Sequence, residues 1–189
     1  MVVVKSKLTM PLPSMPADDV LISLGRMVLQ FAELEYWVNI GIVEAEHTAD
    51  AAKQAETRRR PFSERVDRLG KALAAAEKKG WAEFGKDGVP AVDFVPTLKE
   101  VAEERNDLLH GATFVFVSTV TMSYSGHRKF NPRWDKKTGK VDVRVRELDK
   151  ATLDNLAERV RGYAERLQYV VLDLCLGKQA SGIGSLNWG

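Results

Sequence analysis

The chain has 189 residues, 44% hydrophobic and 29% charged, and a net charge of +2. That is the length of one ordinary domain with enough apolar material for a core. No apolar run approaches the ~18 residues of a membrane-crossing helix, and the single cysteine excludes an internal disulfide and suits a reducing, cytoplasmic setting.

Residues 1–16 read as a leader that lacks a signal peptide's apolar stretch and cleavage site. A first helix is expected over 17–50, opened by Pro16, with the stripe Val20, Leu24, Met27, Phe31, Leu34, Val38 and Ile42 in steps of three and four. The pattern fades near Ala55, and Arg58, Arg59 and Arg60 read as a connection. A second helix is expected over 62–79, with the stripe Phe62, Val66, Leu69, Leu73 and Ala76, ending at Gly80. Residues 81–92 are glycine-rich and read as a loop; GKDG within them fits no phosphate-binding pattern, which argues against a nucleotide-binding bundle.

A third helix follows over 93–110, with Asp93 as cap, Pro96 in its first turn and Gly111 as stop. Its stripe is Phe94, Leu98, Val101, Arg105 and Leu108, so an arginine stands where the pattern asks for an apolar residue. The period then changes to two. TFVFVSTVTMSYS, from Thr113, reads as one strand, and VDVRVREL, from Val141, as its partner. Between them DKKTG is turn chemistry, at the tip of an arm with a third short strand at Lys129–Trp134. Asp149 caps a last helix over 150–176, with the stripe Leu153, Leu156, Val160, Tyr163, Leu167, Val170 and Leu174. Cys175 beside Leu174 reads as a small buried apolar residue, and 177–189 as a flexible tail. The expected fold is mainly α: an antiparallel four-helix bundle over 17–176, one domain, with a small antiparallel β-hairpin or sheet at 113–148 inserted between helices 3 and 4.

The chemistry concentrates in ERNDLLHG, residues 104–111. Asn106 and His110 are four apart and share a helix face. His110 falls in the last turn, where the helix dipole favours its charged form. Histidine serves as general acid or base near neutral pH, arginine grips a phosphate with a two-pronged fork, and asparagine can orient either. A plain structural reading competes: a stripe arginine paired with a carboxylate, for which Glu33 or Glu35 are candidates, and a histidine that only caps its helix. The other histidines, His47 and His127, read as surface residues. One cysteine and three scattered histidines supply no recognisable zinc site, and no cofactor is expected.

Arg105-Asn106-Asp107-Leu108-Leu109-His110 resembles the arginine–polar–x3–histidine motif of the HEPN superfamily. That resemblance implies a helical bundle, metal-independent RNA cleavage by Arg105, Asn106 and His110, and a homodimer that brings two motifs together. Toxin–antitoxin and phage-defence systems are the implied settings. An antitoxin or a defence-complex protein is the implied further partner, and no membrane is involved.

The charge is uneven. Arg128, Lys129, Arg133, Lys136, Lys137 and Lys140 are crowded into 125–140 against one acid, Asp135. Phe130 and Trp134 are interleaved with them, a composition that suits single-stranded RNA through stacking and phosphate contact. The same run is equally a solvated surface. Two functions follow: a metal-independent endoribonuclease, or a non-catalytic module that binds RNA or another protein.

Overall fold

The structure is a computed structural model, and it describes residues 12–13, 17–47, 50–81, 93, 95–109, 112–117, 124–135, 137–147 and 149–180. They are mainly helical, with a small antiparallel sheet. In chain order the elements are β1 (Leu12–Pro13), α1 (Asp18–Glu46), α2 (Ala51–Arg59), α3 (Phe62–Lys78), α4 (Val95–Leu109), β2 (Ala112–Val117), β3 (Tyr124–Asp135), β4 (Lys140–Glu147) and α5 (Lys150–Ala180). The chain divides into two compact units: Met1–Arg26 with Glu103–Asn155, and Met27–Ala102 with Leu156–Gly189. Among the described residues, no helix is long and apolar enough to cross a membrane.

The second unit holds most of the helical core. Most stripe positions read from the sequence are buried there: Met27, Phe31, Leu34, Val38 and Ile42 of α1, Val66, Leu69, Leu73 and Ala76 of α3, and Leu156, Val160, Leu167, Val170 and Leu174 of α5, while Phe62 and Tyr163 are half-buried. Phe31 meets Phe62 with ring centroids 5.0 Å apart. Farther along the same two helices, a methyl at Gly41 would meet Leu69. These contacts climb α1 and α3 together, so the two helices run in the same direction. Lys99 pairs with Asp67 and Val95 packs at Gly70, so α4 runs against α3.

Helix α2 explains the shared direction of α1 and α3, because it carries the chain back between them. The sequence reading carried the first helix to residue 50 and took the arginines after Ala55 as a connection. In fact α1 ends at Glu46, His47 takes a left-handed conformation (φ 51°), and a separate helix begins at Ala51. Asp50 caps it, its carboxylate accepting from the backbone N–H of Ala52 and Lys53 at 2.9 and 3.3 Å. Only Thr57 of α2 is buried, so the helix has no apolar period to detect.

The expected tail was also misplaced at its start. Helix α5 continues through Ala180, and Gly177 and Lys178 belong to its last turns. A methyl at Gly177 would stand 2.2 Å from the carbonyl oxygen of Trp81, so only glycine allows this approach. Lys178 is fully buried and pairs with the equally buried Glu44, also donating to the Glu44 carbonyl at 3.2 Å. Burial pushes the Lys178 ammonium down from its ordinary pKa. Glycine and serine from Gly177 onward suggested a loose tail, because burial here depends on pairing rather than hydropathy. Residues 181–189 lie outside the described residues.

The first unit contains the sheet, ordered β1-β2-β3-β4 with each neighbouring pair antiparallel. β1 comes from the expected leader: Leu12 and Pro13 oppose Val115 and Phe114. The single strand expected from Thr113 is divided between β2 and β3, which pair with each other. Uniform β-branched composition had left no mark of the reversal. The expected arm is mostly β3 itself, paired with β2 through Phe130 and with β4 from Arg128 to Asp135. Pro132 lies beyond the last β2 pair, where its missing N–H breaks no ladder on that side. The DKKTG turn forms as read. Asp135 accepts from the Lys137 N–H at 2.8 Å and the Thr138 hydroxyl at 2.7 Å, and Gly139 takes φ 65°.

Asp149 caps α5 as expected, accepting from the Thr152 N–H at 2.8 Å and its hydroxyl at 2.7 Å. These bonds, the backbone one foremost, hold its carboxyl below the usual aspartate range. The stabilisation is therefore full above the ordinary aspartate pKa and is lost as pH falls through the lowered one. Asp149→Ala is expected to cost about 1 kcal/mol at neutral pH, and the gap from the parent should close under strong acid in pH-dependent urea melts.

The buried pair gives a sharper test. Lys178→Met leaves Glu44 buried without its cation and is expected to cost about 3–5 kcal/mol. Adding Glu44→Gln should recover much of that loss. Thermal melts of the parent, single and double variants measure both effects.

Candidate functional site

Helix α4 brings the motif to the first unit. Its stripe is buried at Leu98, Val101 and Leu108, while Arg105 at the intervening stripe position is half-buried. The expectation of a core position for Arg105 is thus met in placement along the helix but not in depth. Arg105 donates from Nη1 to Oδ1 of Asn106 at 2.9 Å, and Asn106 is also half-buried. His110 and the expected stop Gly111 lie outside the described residues, as does Phe94; α4 is described from Val95 to Leu109.

Asp107 is the motif residue that the sequence reading passed over. It is 1% exposed, although a helix of 3.6 residues per turn puts it opposite Leu98. The last turns of α4 are therefore enclosed on a second side, which the stripe alone does not reveal. A carboxylate at this depth requires polar company.

Glu35, offered by the plain structural reading as a partner for Arg105, is engaged elsewhere in the second unit. Its Oε2 accepts from Nη2 of Arg65 at 2.9 Å, and Arg65 Nη1 reaches Asn39 Oδ1 at 3.0 Å. Arg65 is 5% exposed and lies 5.3 Å from the centroid of Phe62. The sequence reading missed this buried arginine. Its signal was available: Arg65 follows the first residue of α3 by three and sits one residue before the stripe position Val66. Glu33 is exposed.

The remaining minor candidates also shift. His47 is not a simple surface residue: it is half-buried, with its ring edge toward Trp81 at 6.4 Å between centroids. Cys175 is half-buried rather than buried, and desolvation raises its thiol pKa.

The basic run falls on a strand and a turn. Arg128, Lys129 and Arg133 belong to β3, and His127 opposes Val115 of β2. Lys137 and Lys140 lie at the β3–β4 turn and are exposed, and Lys136 lies outside the described residues. Strand alternation separates what the sequence interleaves. Arg128, Phe130 and Trp134 share one parity of β3; Lys129 and Arg133 share the other. Trp134 is 63% exposed beside its register partner Val141 at 57%. The stacking candidate is thus accessible.

In comparisons with family models, curated proteins and solved structures, nothing matches this chain.

The Arg105–Asn106 contact has a measurable weight. Asn106→Ala removes the acceptor and is expected to cost about 1 kcal/mol, the net worth of one hydrogen bond to a charged donor in a half-buried setting. Chemical denaturation of the parent and variant at neutral pH reads the difference.

Proposed function

We propose that this protein is a HEPN-like, metal-independent endoribonuclease that acts as a homodimer. The observation that carries the reading is the Arg105–Asn106 hydrogen bond, 2.9 Å long, between two half-buried side chains in the last turns of α4. The bond ties the guanidinium to its neighbour within the motif whose last residue in sequence is His110. In this reading the four long helices α1, α3, α4 and α5 make up one bundle domain, and the sheet is its insert.

The chemistry follows from the residue types. A base takes the proton of a ribose 2′-hydroxyl, and the oxygen attacks phosphorus. The bond from phosphorus to the 5′-oxygen breaks, and an acid returns a proton to that oxygen. Arg105 binds the phosphate as negative charge builds on it. Asn106 orients Arg105. His110 is the base or acid, and His110 of a second copy takes the complementary role across a two-fold axis. RNA is the substrate, and an antitoxin or a defence-complex protein is the further partner. The setting is the cytoplasm.

A second reading draws on a different feature. Ile22, Leu29 and Tyr36 recur at seven-residue intervals on α1, with exposures of 66, 70 and 54%. Exposed apolar residues so spaced favour a contact with another protein, and so a non-catalytic interaction module.

His110→Ala separates the readings. The variant is expected to remain folded, dimeric and RNA-binding, and to lose cleavage by orders of magnitude. Chelator should leave the parent's activity intact, and the products should end in a 2′,3′-cyclic phosphate. Equal cleavage by parent and variant rejects the catalytic role of His110. Light scattering that shows a monomer at tens of micromolar rejects the two-copy site.

A further inference from the structure

Helix α1 is apolar on two opposite sides. One side is the core stripe of Met27, Phe31, Leu34 and Val38, all buried. At about 100° per residue, the other side carries Ile22, Gly25, Leu29, Ala32 and Tyr36, half a turn around the helix. None of these five is covered. Ile22, Leu29 and Tyr36 keep the high exposures given above, Gly25 and Ala32 are exposed as well, and a methyl added at Gly25 would meet open space. Steps of three and four that alternate in this way are those of a seam between two helices. Large and small residues also alternate along it, and the small ones let a second helix backbone come close.

The edges of the seam set its direction. Arg26 and Glu33, both exposed, lie seven residues apart along one edge. The other edge holds Val28 and Glu35. In a two-fold antiparallel pair each edge meets the same edge of the other copy. With Leu29 on the axis, a residue before it stands level with the residue equally far after it on the other copy. Arg26 is three before and Glu33 is four after, so the two differ in level by one residue rise, about 1.5 Å. Symmetry makes this opposite-charge match twice. The same alignment sets Ile22 level with Tyr36, and Gly25 within one residue of Ala32. A parallel pair would instead set Arg26 against Val28 and Glu33 against Glu35, an apolar residue and a like charge. Arg26 also reaches Asp154 of its own chain at 3.4 Å, and its side chain remains 56% exposed.

We propose that this face of α1 binds a second copy of the chain, antiparallel, with the two-fold axis at Leu29. The contact goes beyond the ribonuclease reading: it uses no residue of the 104–111 motif and stands whether or not the chain cleaves RNA. A contact between two single helices is at the low end of specific interfaces, below about 1,200 Å² in total, so the pair forms reversibly and with rising concentration.

The test places single cysteines in the full chain, with Cys175→Ser as background, and reads covalent dimer on a denaturing gel after treatment with a short bis-maleimide. Leu29→Cys puts two thiols beside one axis and raises their effective concentration, so it should give about fivefold more covalent dimer than Arg59→Cys, at an exposed position on α2. Arg26→Glu and Glu33→Arg each set like charges across the axis, and each should lower the yield at position 29 about threefold or more. The two together exchange the signs and should restore the yield. Within one chain residues 26 and 33 are about 10 Å apart along the helix, so this rescue reports a contact between copies.

Equal yields at positions 29 and 59 overturn the proposal and leave the seam to a different protein. So does a Leu172→Cys variant, on the exposed side of α5, that cross-links while Leu29→Cys does not, since the copies then meet elsewhere. A charge exchange that fails to restore the yield also overturns it. The ribonuclease reading fails separately: its mark is cleavage that survives His110→Ala, and that result leaves the cross-linking result standing.

Discussion

Two carboxylates on α1 set the terms for the helices of the second unit. Glu35 and Glu44 each meet a cation from another helix: Arg65 of α3 and Lys178 of α5. Glu44 and Lys178 are both fully buried. A charge at that depth without its partner costs several kcal/mol, so a shift of one helix turn between α1 and α5 is heavily penalised. Apolar stripes tolerate such a slip better, since one leucine replaces another. The ion pairs therefore select the helix register, and the apolar contacts supply the bulk of the burial. Gly177 belongs to the same constraint, since α5 reaches Glu44 only by passing close against the Trp81 carbonyl.

This division of labour explains what was legible in the sequence. Stripes such as Leu69, Leu73 and Ala76 repeat every three or four residues, and each is fully buried. Caps are local chemistry, so Asp149 and the DKKTG turn could be read directly. Helix α2 could not, because it buries only Thr57 and has no period. Lys178 could not, because its burial depends on a glutamate 134 positions away. The same holds for Arg65 and Asp107, whose burial no apolar pattern announces.

The sheet failed in a different way. Its residue types were recognisable, but pairing is non-local, and position along the chain does not say which charges become neighbours. The run from Ser125 to Lys140 looked like one basic patch because its cations are adjacent in sequence. Register, not adjacency, decides the neighbours: Lys129 opposes Arg146 and Asn131 opposes Arg144, both from β4. Net charge over a window is a poor guide on a strand, where the relevant neighbours are two residues away or across the ladder.

Arg65 and Arg105 carry the last step. Both interrupt or adjoin an apolar stripe, and from sequence both have the same structural explanation. Arg65 fits it: 5% exposed, held by Glu35 and Asn39, and stacked near Phe62. Such a guanidinium is enclosed by the groups that position it. Arg105 is half-buried, and its Nη1 is steered by an amide on the adjacent residue. An amide orients a guanidinium without adding a negative charge. Depth, more than position on the stripe, separates the two arginines: one is enclosed with the groups that hold it, and the other is half-buried.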